Sequence, residues 1–175
     1  MQSKSNKIAL TLLIIAGVFW LGGINIRALI QNELLNFDQF NFKTSIPPDR
    51  ENTIFQLISN ASLVIVISYS VVLLCAVWFM LTNKLKMRQN GWLLMCAILF
   101  FIFVPVEIYT YIIDIRFMLL YQTHPVNHDE LLRLFGMRLG ALSGAPVIAL
   151  LCYYSIIPIA IFKPLSNREK SNVKS

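Results

Sequence analysis

The residues from Ile54 to Leu81, IFQLISNASLVIVISYSVVLLCAVWFML, decide the fold of this protein. The run is 28 residues long, whereas a helix of roughly 20 apolar residues already crosses a hydrocarbon core of about 30 Å. It lacks the period-two alternation of a strand, and backbone exposed to lipid must satisfy its own hydrogen bonds. The stretch therefore predicts a transmembrane helix.

Three further apolar runs accompany this one. They predict a single domain over residues 1–175, with helices at about 8–27, 54–82, 92–121 and 138–163, outer loops at 31–53 and 122–137, and a cytoplasmic link at 83–91. At about 1.5 Å per residue, the second and third runs are longer than the bilayer is thick, so these helices must tilt or extend past it. The predicted fold class is an all-α membrane protein, a four-helix transmembrane bundle.

The composition favours the same class. Of the 175 residues, 57% are hydrophobic and 14% are charged, whereas about a quarter of the residues of a soluble domain are charged. The net charge of +6 does not indicate a nucleic-acid partner, because the basic residues lie in short clusters between the apolar runs and at the termini. The expected surroundings are a lipid bilayer.

The positions of the basic residues predict the orientation. One side of the predicted bundle carries one acid, Glu169, and nine basic residues. The basic residues are Lys4, Lys7, Lys84, Lys86, Arg88, Lys163, Arg168, Lys170 and Lys174. The positive-inside rule places this side, with both termini, in the cytoplasm. The first run is longer than a usual signal-peptide core and has no clean cleavage site after it, so we expect a retained helix. The short loops favour a bacterial or organellar inner membrane.

The first outer loop contains three phenylalanines, Phe37, Phe40 and Phe42, before the Pro47–Pro48 pair. The prolines exclude a continuous helix through this loop. The aromatic side chains either dip into the membrane interface or form a docking patch for a partner. The first interpretation is favoured, because aromatic residues are common at membrane interfaces.

The second outer loop contains His124 and His128, separated by Pro125. Two histidines four residues apart can bind a metal when they share a helix face, but the proline makes a shared helix unfavourable. Asn127 and Glu130 instead predict a helix cap with reciprocal hydrogen bonds. The helix that begins there is expected to lie along the membrane surface.

Cofactor chemistry is not indicated. Cys75, Cys96 and Cys152 lie inside apolar runs without paired spacing, where thiols usually behave as small hydrophobic groups. A thiol-oxidising enzyme would need paired cysteines near the outer surface, and haem held by two histidines within the bundle would need histidines in the runs. We therefore predict no catalytic set, no metal and no cofactor.

Three glycines, Gly136, Gly140 and Gly144, follow one another at four-residue spacing into the predicted fourth helix. Small residues four apart allow another helix to approach closely. They are predicted helix-packing residues, with the partner either in this chain or in a second copy.

Polar residues concentrate at the outer end of the predicted helices. We expect a cluster made of Glu107, Thr110, Tyr111, Asp114, Asn25, Arg27 and Arg138. Glu107 follows Pro105, which predicts a kink, and its carboxylate should face protein or water because charge is costly inside a membrane. Arg27 or Arg138 is the expected countercharge. The cluster either works as a functional site or only fixes helix register, with Asp114 and Arg116 marking the water interface.

Three classes of function fit these features. The first is a non-catalytic subunit, assembly factor or partner-binding component of a membrane complex, with a membrane protein partner or a second copy of the chain. The second is a small transporter or channel, coupled to protons through Glu107. The third is a membrane enzyme acting on a lipid or quinone, with Glu107, Tyr111 and Asp114 as acid–base groups. The first class is favoured, because the loops are short and no nucleophile constellation is visible.

Overall fold

The computed structural model describes residues 4–36, 41–43, 46–82, 90–124 and 127–165. Six α-helices lie within these described ranges: α1 (Lys4–Asn32), α2 (Pro48–Thr82), α3 (Gly91–Phe101), α4 (Val104–Thr123), α5 (His128–Leu139) and α6 (Ala145–Phe162). A hairpin of two-residue strands, β1 (Leu35–Asn36) and β2 (Asn41–Phe42), follows α1, and a 3₁₀ turn over Ala141–Gly144 precedes α6. Phe37, Phe40 and the predicted basic clusters at 84–88 and 168–174 lie outside the described residues.

Four helical segments are long and apolar enough to cross a membrane: Lys4–Asn32, Pro48–Thr82, Gly91–Thr123 and Ala145–Phe162. The predicted helical class and the four membrane-length segments are therefore confirmed. The helices α1 and α2 begin earlier than expected. Pro48 is the first residue of α2, where its missing N–H costs nothing, and Asp49 and Glu51 complement the helix dipole in the first turn.

The predicted third helix is interrupted at Ile102 and Phe103, between α3 and α4. Pro105 has no N–H to donate to the carbonyl of Phe101, so the regular pattern of hydrogen bonds fails at this point. The expected disturbance near Pro105 is confirmed.

The predicted fourth helix is wrong in its boundaries. The surface helix expected from Asn127 within the outer loop 122–137 is α5, which runs on to Leu139, and α6 begins only at Ala145. Pro146 prevents α5 from continuing into α6, and Gly144 adopts φ = 91° at the N-cap of α6, a conformation that glycine tolerates without strain. We had expected Gly136, Gly140 and Gly144 to follow one another into a single helix. They do not lie on one continuous helix. A close approach of another helix along them stays a prediction.

The chain divides into two compact units. The first comprises Met1–Asn83 with Tyr109–Ala141, and the second comprises Lys84–Ile108 with Leu142–Ser175. The boundary falls inside α4, so the first turn of this helix belongs to the second unit and the remainder to the first.

Helices α1 and α2 pack antiparallel along their length in the first unit. Near one end, Thr82 donates a hydrogen bond to Asn6 Oδ1 at 2.8 Å, and Asn6 Nδ2 donates to the Thr82 carbonyl at 3.3 Å. In the middle, the Trp20 and Tyr69 rings lie 5.0 Å apart. Close packing is also seen at Gly23, where an added Cβ would lie 2.9 Å from Ile65 Cγ1. The contact between α1 and α2 therefore favours glycine at position 23.

A second region of packing in this unit lies beyond Arg27 of α1. Its buried side chains come from the turn after α1, from α2 and α4, and from α5: Leu34, Ile54, Phe55, Ile58, Phe117, Leu131, Leu134 and Phe135. Leu35 of the hairpin packs against this region, and its backbone pairs with that of Phe42. The predicted surface helix α5 thus buries one face in an apolar core.

In the second unit, α3 packs against α6. The ring of Tyr153 lies 6.0 Å from that of Phe100 and 6.2 Å from that of Phe103. At the other end, Lys163 Nζ lies 5.6 Å from the centre of the Trp92 ring, which is a cation–π distance. Pro158 lies inside α6.

Candidate functional site

The candidate site is a network of three charged side chains around Asp114. Arg27 Nη1 lies 2.6 Å from Asp114 Oδ2. Arg138 Nε donates a hydrogen bond to Asp114 Oδ1 at 3.2 Å. Each carboxylate oxygen thus faces a guanidinium from a different helix, and the network joins α1, α4 and α5 inside the first unit.

Helical periodicity places each of these residues on a packed face. In α5, Arg138 follows buried Leu131 and Leu134 at seven and four positions, so its side chain continues the apolar stripe of that helix. In α1, Arg27 follows buried Trp20 and Gly23 at the same spacings. The packing of the apolar neighbours therefore brings the charged groups together.

Helical periodicity also places Asp114 on a packed face of α4. Its neighbours on the helix face are Thr110, four positions before, and Phe117, three positions after, and both are buried with 2% of their surface exposed. Phe117 packs edge-on against Phe55 of α2, with ring centres 5.9 Å apart. This contact anchors the helix turn that presents the carboxylate.

The network is almost fully withdrawn from solvent. Asp114 and Arg27 are 2% and 4% exposed, and Arg138 is 17% exposed. Arg27 Nη1 is close to the carboxylate without the alignment of a hydrogen bond, and Arg27 Nε is buried with no hydrogen-bond partner in the described part of the chain. Two guanidinium groups share one carboxylate, so this network of three side chains carries one net positive charge.

The Asp114 side chain is buried and paired with two arginines, and its place at the water interface stays a prediction. We had expected Glu107 to be the carboxylate that Arg27 or Arg138 neutralises. The carboxylate that both arginines reach is Asp114. The signal in the sequence was the spacing of Asp114 from Thr110 and Phe117, four positions before it and three after it. This spacing places the three side chains on one face of α4.

Glu107 lies in the first turn of α4, in the second unit, and 8% of its side chain is exposed. That this carboxylate faces protein or water within a membrane stays a prediction. Its backbone N–H donates to the carbonyl of Phe103 at 3.0 Å, so the helix resumes its regular pattern directly after the interruption at Pro105.

Of the other predicted members of the cluster, Tyr111 contacts α2. The Tyr111 hydroxyl is 3.1 Å from Ser70 Oγ of α2, and its ring is 6.5 Å from that of Tyr69. Asn25 is exposed on α1. Tyr111 therefore belongs to a separate contact between α4 and α2.

The N-terminus of α5 lacks the predicted helix cap. Helix α5 begins at His128, but Asn127 makes no side-chain cap hydrogen bond. Glu130 instead accepts hydrogen bonds from Arg133, at 2.7 Å from Nε and 2.5 Å from Nη2. Hydrogen bonding to Arg133 lowers the pKa of Glu130 and raises that of Arg133.

His128 lies against α2. Its Nδ1 is 3.8 Å from Glu51 Oε2, and its ring centre is 6.1 Å from that of Phe55. Among the residues that the structure describes, no group of three or more His, Cys, Asp or Glu side chains could hold a metal ion.

By helix length and composition, the chain belongs to the class of polytopic helical membrane proteins. Comparison with known protein families, with curated proteins and with solved structures finds no match to it. The assignment of function therefore depends on the chemistry of its own residues.

Proposed function

We propose that this protein is a non-catalytic component of a membrane complex, acting as a subunit, an assembly factor or a partner-binding protein. The observation that carries the proposal is the network around Asp114. Both of its oxygens face arginines of other helices, an arrangement suited to holding helices in register.

The membrane placement belongs to the same proposal. The four helices form a bundle across a bacterial or organellar inner membrane, with both termini in the cytoplasm according to the positive-inside rule. Arg27 and the apolar core that includes Phe55 and Phe135 then lie at the outer side. This core supports a small structured surface outside the lipid, and that surface is where a partner would dock.

The composition of the complex tests the function. The tagged chain is extracted from its native membranes in a mild detergent, isolated and examined by mass spectrometry. We expect one or more membrane proteins in stoichiometric amount, and a lower level of this chain in cells that lack them. Isolation of the chain alone, with normal stability, would contradict the proposal.

The membrane placement has its own test. Single cysteines at exposed positions such as Thr123 and Lys163, in a variant without Cys75, Cys96 and Cys152, are labelled with an impermeant maleimide in intact cells or spheroplasts. Labelling at Thr123 without labelling at Lys163 is expected. The reverse pattern would overturn the proposed orientation and leave the subunit proposal intact.

One observation favours a second candidate function, a small proton-coupled transporter or channel. Glu107 is buried directly after the helix interruption at Ile102 and Phe103, and carboxylates within membrane spans commonly take part in proton and ion pathways. Reconstituted protein should then move protons, and Glu107→Gln should abolish this flux without loss of folding. Proteoliposomes that stay impermeable would exclude this candidate.

A further inference from the structure

The level of Arg27 marks one boundary of the lipid core. The apolar run Ile8–Ile26 is bracketed by Lys7 and Arg27, and its 19 residues span about 28 Å at helical rise. A hydrocarbon core is about 30 Å thick. If α1 crosses the membrane as proposed above, Arg27 lies where the hydrocarbon meets the headgroups.

The register of α1 against α2 transfers this level to the rest of the unit. The contacts Asn6–Thr82 and Gly23–Ile65 place Arg27 opposite about residue 61 of α2, which leaves about 20 Å of this helix beyond the boundary. The apolar core that includes Phe55, Ile58 and Phe135 lies on that same side. The Asp114 network thus lies at the base of a small domain outside the lipid.

The network holds more positive charge than its one carboxylate neutralises. A buried cation without a counterion is costly in apolar surroundings. Arg138 is the member that reaches the surface, with 17% exposed, and Asp114 fixes it through Nε alone. Its two Nη groups have no hydrogen-bond partner in the described part of the chain. A planar guanidinium held in this way suits a phosphate, to which two N–H groups can donate together.

A second arginine supports the same boundary. Arg116 is exposed on α4, two residues from Asp114. Ile112 and Leu119, four positions before and three after it, are 45% and 57% exposed. A charged side chain among lipid-facing apolar residues is tolerated where it can reach the headgroups.

We infer that Arg138, oriented by Asp114, binds the headgroup phosphate of an anionic phospholipid, which neutralises the excess charge of the Arg27–Asp114–Arg138 network. The lipid acts as a structural ligand at the base of the outer domain. This inference rests on the proposed membrane placement, but it is independent of which protein partner the complex contains.

Lipid retention by the purified chain tests the inference. Native mass spectrometry counts the phospholipids that remain on protein released from nanodiscs of phosphatidylcholine containing phosphatidylglycerol. We expect one retained phosphatidylglycerol per chain, at least a five-fold loss of this species in Arg138→Gln, and partial retention in Arg138→Lys. Arg133→Gln is the matched control, since Arg133 lies on the same helix but is paired with Glu130, and it should retain lipid normally.

A thermal-shift assay with the same variants separates the lipid from other anions and covers the case in which Arg138→Gln folds poorly. Phosphatidylglycerol should raise the Tm of the unaltered chain and of Arg133→Gln, and raise it less in Arg138→Lys. Inorganic phosphate at equal concentration should have no such effect. Equal stabilisation by inorganic phosphate, or equal lipid retention by Arg138→Gln and the unaltered chain, would overturn the inference. A chain that fails to float with liposomes would refute the membrane placement instead.

Discussion

Arg27 and Asp114 form an ion pair of 2.6 Å in which both side chains are almost fully buried. The pair connects the end of the first membrane-length helix with the middle of α4, and Arg138 adds α5 on the other carboxylate oxygen. Removing one partner of such a buried pair lowers the free energy of unfolding by more than the intact pair contributes to it, because the removal leaves an uncompensated charge. This asymmetry makes the network directly testable.

Asp114→Asn should lower the free energy of unfolding by about 3–5 kcal/mol, because it leaves two arginines without their carboxylate. Unfolding titrations in mixed micelles would measure the change. Glu130→Gln serves as the control and should have little effect, since exposed ion pairs contribute little. A neutral result for Asp114→Asn would mean that another group neutralises the arginines.

The contributions of Arg27 and Asp114 should be strongly non-additive. A double variant, Arg27→Gln with Asp114→Asn, removes both charges of the pair and should be less destabilised than the sum of the two single variants, by about 1–3 kcal/mol. The same unfolding assay gives the coupling. Additive effects would show that the two side chains do not interact in the folded protein.

Gly23→Ala should loosen the packing of α1 on α2. The new methyl group would lie 2.9 Å from Ile65 Cγ1, and crowding of this kind costs about 1–3 kcal/mol. Gly22→Ala is a matched control, because nothing lies within 4 Å of a Cβ at that position. Ile65→Ala in the Gly23→Ala background should recover part of the loss, and equal stabilities of the two glycine variants would contradict the close approach.

Asn6→Ala should weaken the end of the helix pair that lies near Thr82. It removes two hydrogen bonds, one from the Thr82 hydroxyl to Asn6 Oδ1 and one from Asn6 Nδ2 to the Thr82 carbonyl. Side-chain hydrogen bonds between membrane helices contribute about 0.6 kcal/mol on average. Thr11→Ala is the comparison, because the Thr11 hydroxyl bonds only to the carbonyl of Lys7 in its own helix. The difference between the two variants in unfolding free energy is the measured quantity.

Glu130 should titrate below the usual range of a glutamate, because hydrogen bonds from Arg133 lower its pKa. A lowered pKa in the folded state means that the pair stabilises α5 above the pKa of the unfolded chain, and that this contribution disappears as the pH falls through the folded pKa. NMR titration of the Glu130 carboxyl carbon in detergent would report the value. Arg133→Gln should return it to the ordinary range, and an unchanged titration would exclude the pair in solution.

Much of the helical framework could be predicted from single runs of residues. A run such as Ile54–Leu81 predicts a membrane-length helix without knowledge of its neighbours, because its length and apolar character alone match the thickness of a bilayer. The disturbance at Pro105 was equally local, since proline removes a backbone donor wherever it occurs. Helix α5 was predicted as a surface helix from Asn127 through Leu131, Leu132, Leu134 and Phe135, but its separation from α6 was missed.

The candidate site was predicted as a set of residues but not as a set of contacts. Arg27, Asp114 and Arg138 were all among the expected polar residues, yet Glu107 was assigned the central role because it lies deeper in its apolar run. Depth along a helix says nothing about which other helix lies opposite. The pairing depends on the packing of Trp20, Phe117 and Leu134, whose partners are distant in the sequence.

The sequence by itself determined the class of protein, the four membrane-length helices and the concentration of polar residues towards one end of them, because each of these follows from the local match between side chains and solvent. Only the tertiary structure decided that Asp114 is the shared partner of two arginines, that Gly23 packs against Ile65 and that α5 closes an apolar core. These features are relations between distant segments, and the free energy that selects them comes from packing and charge pairing across helices, which no single segment carries.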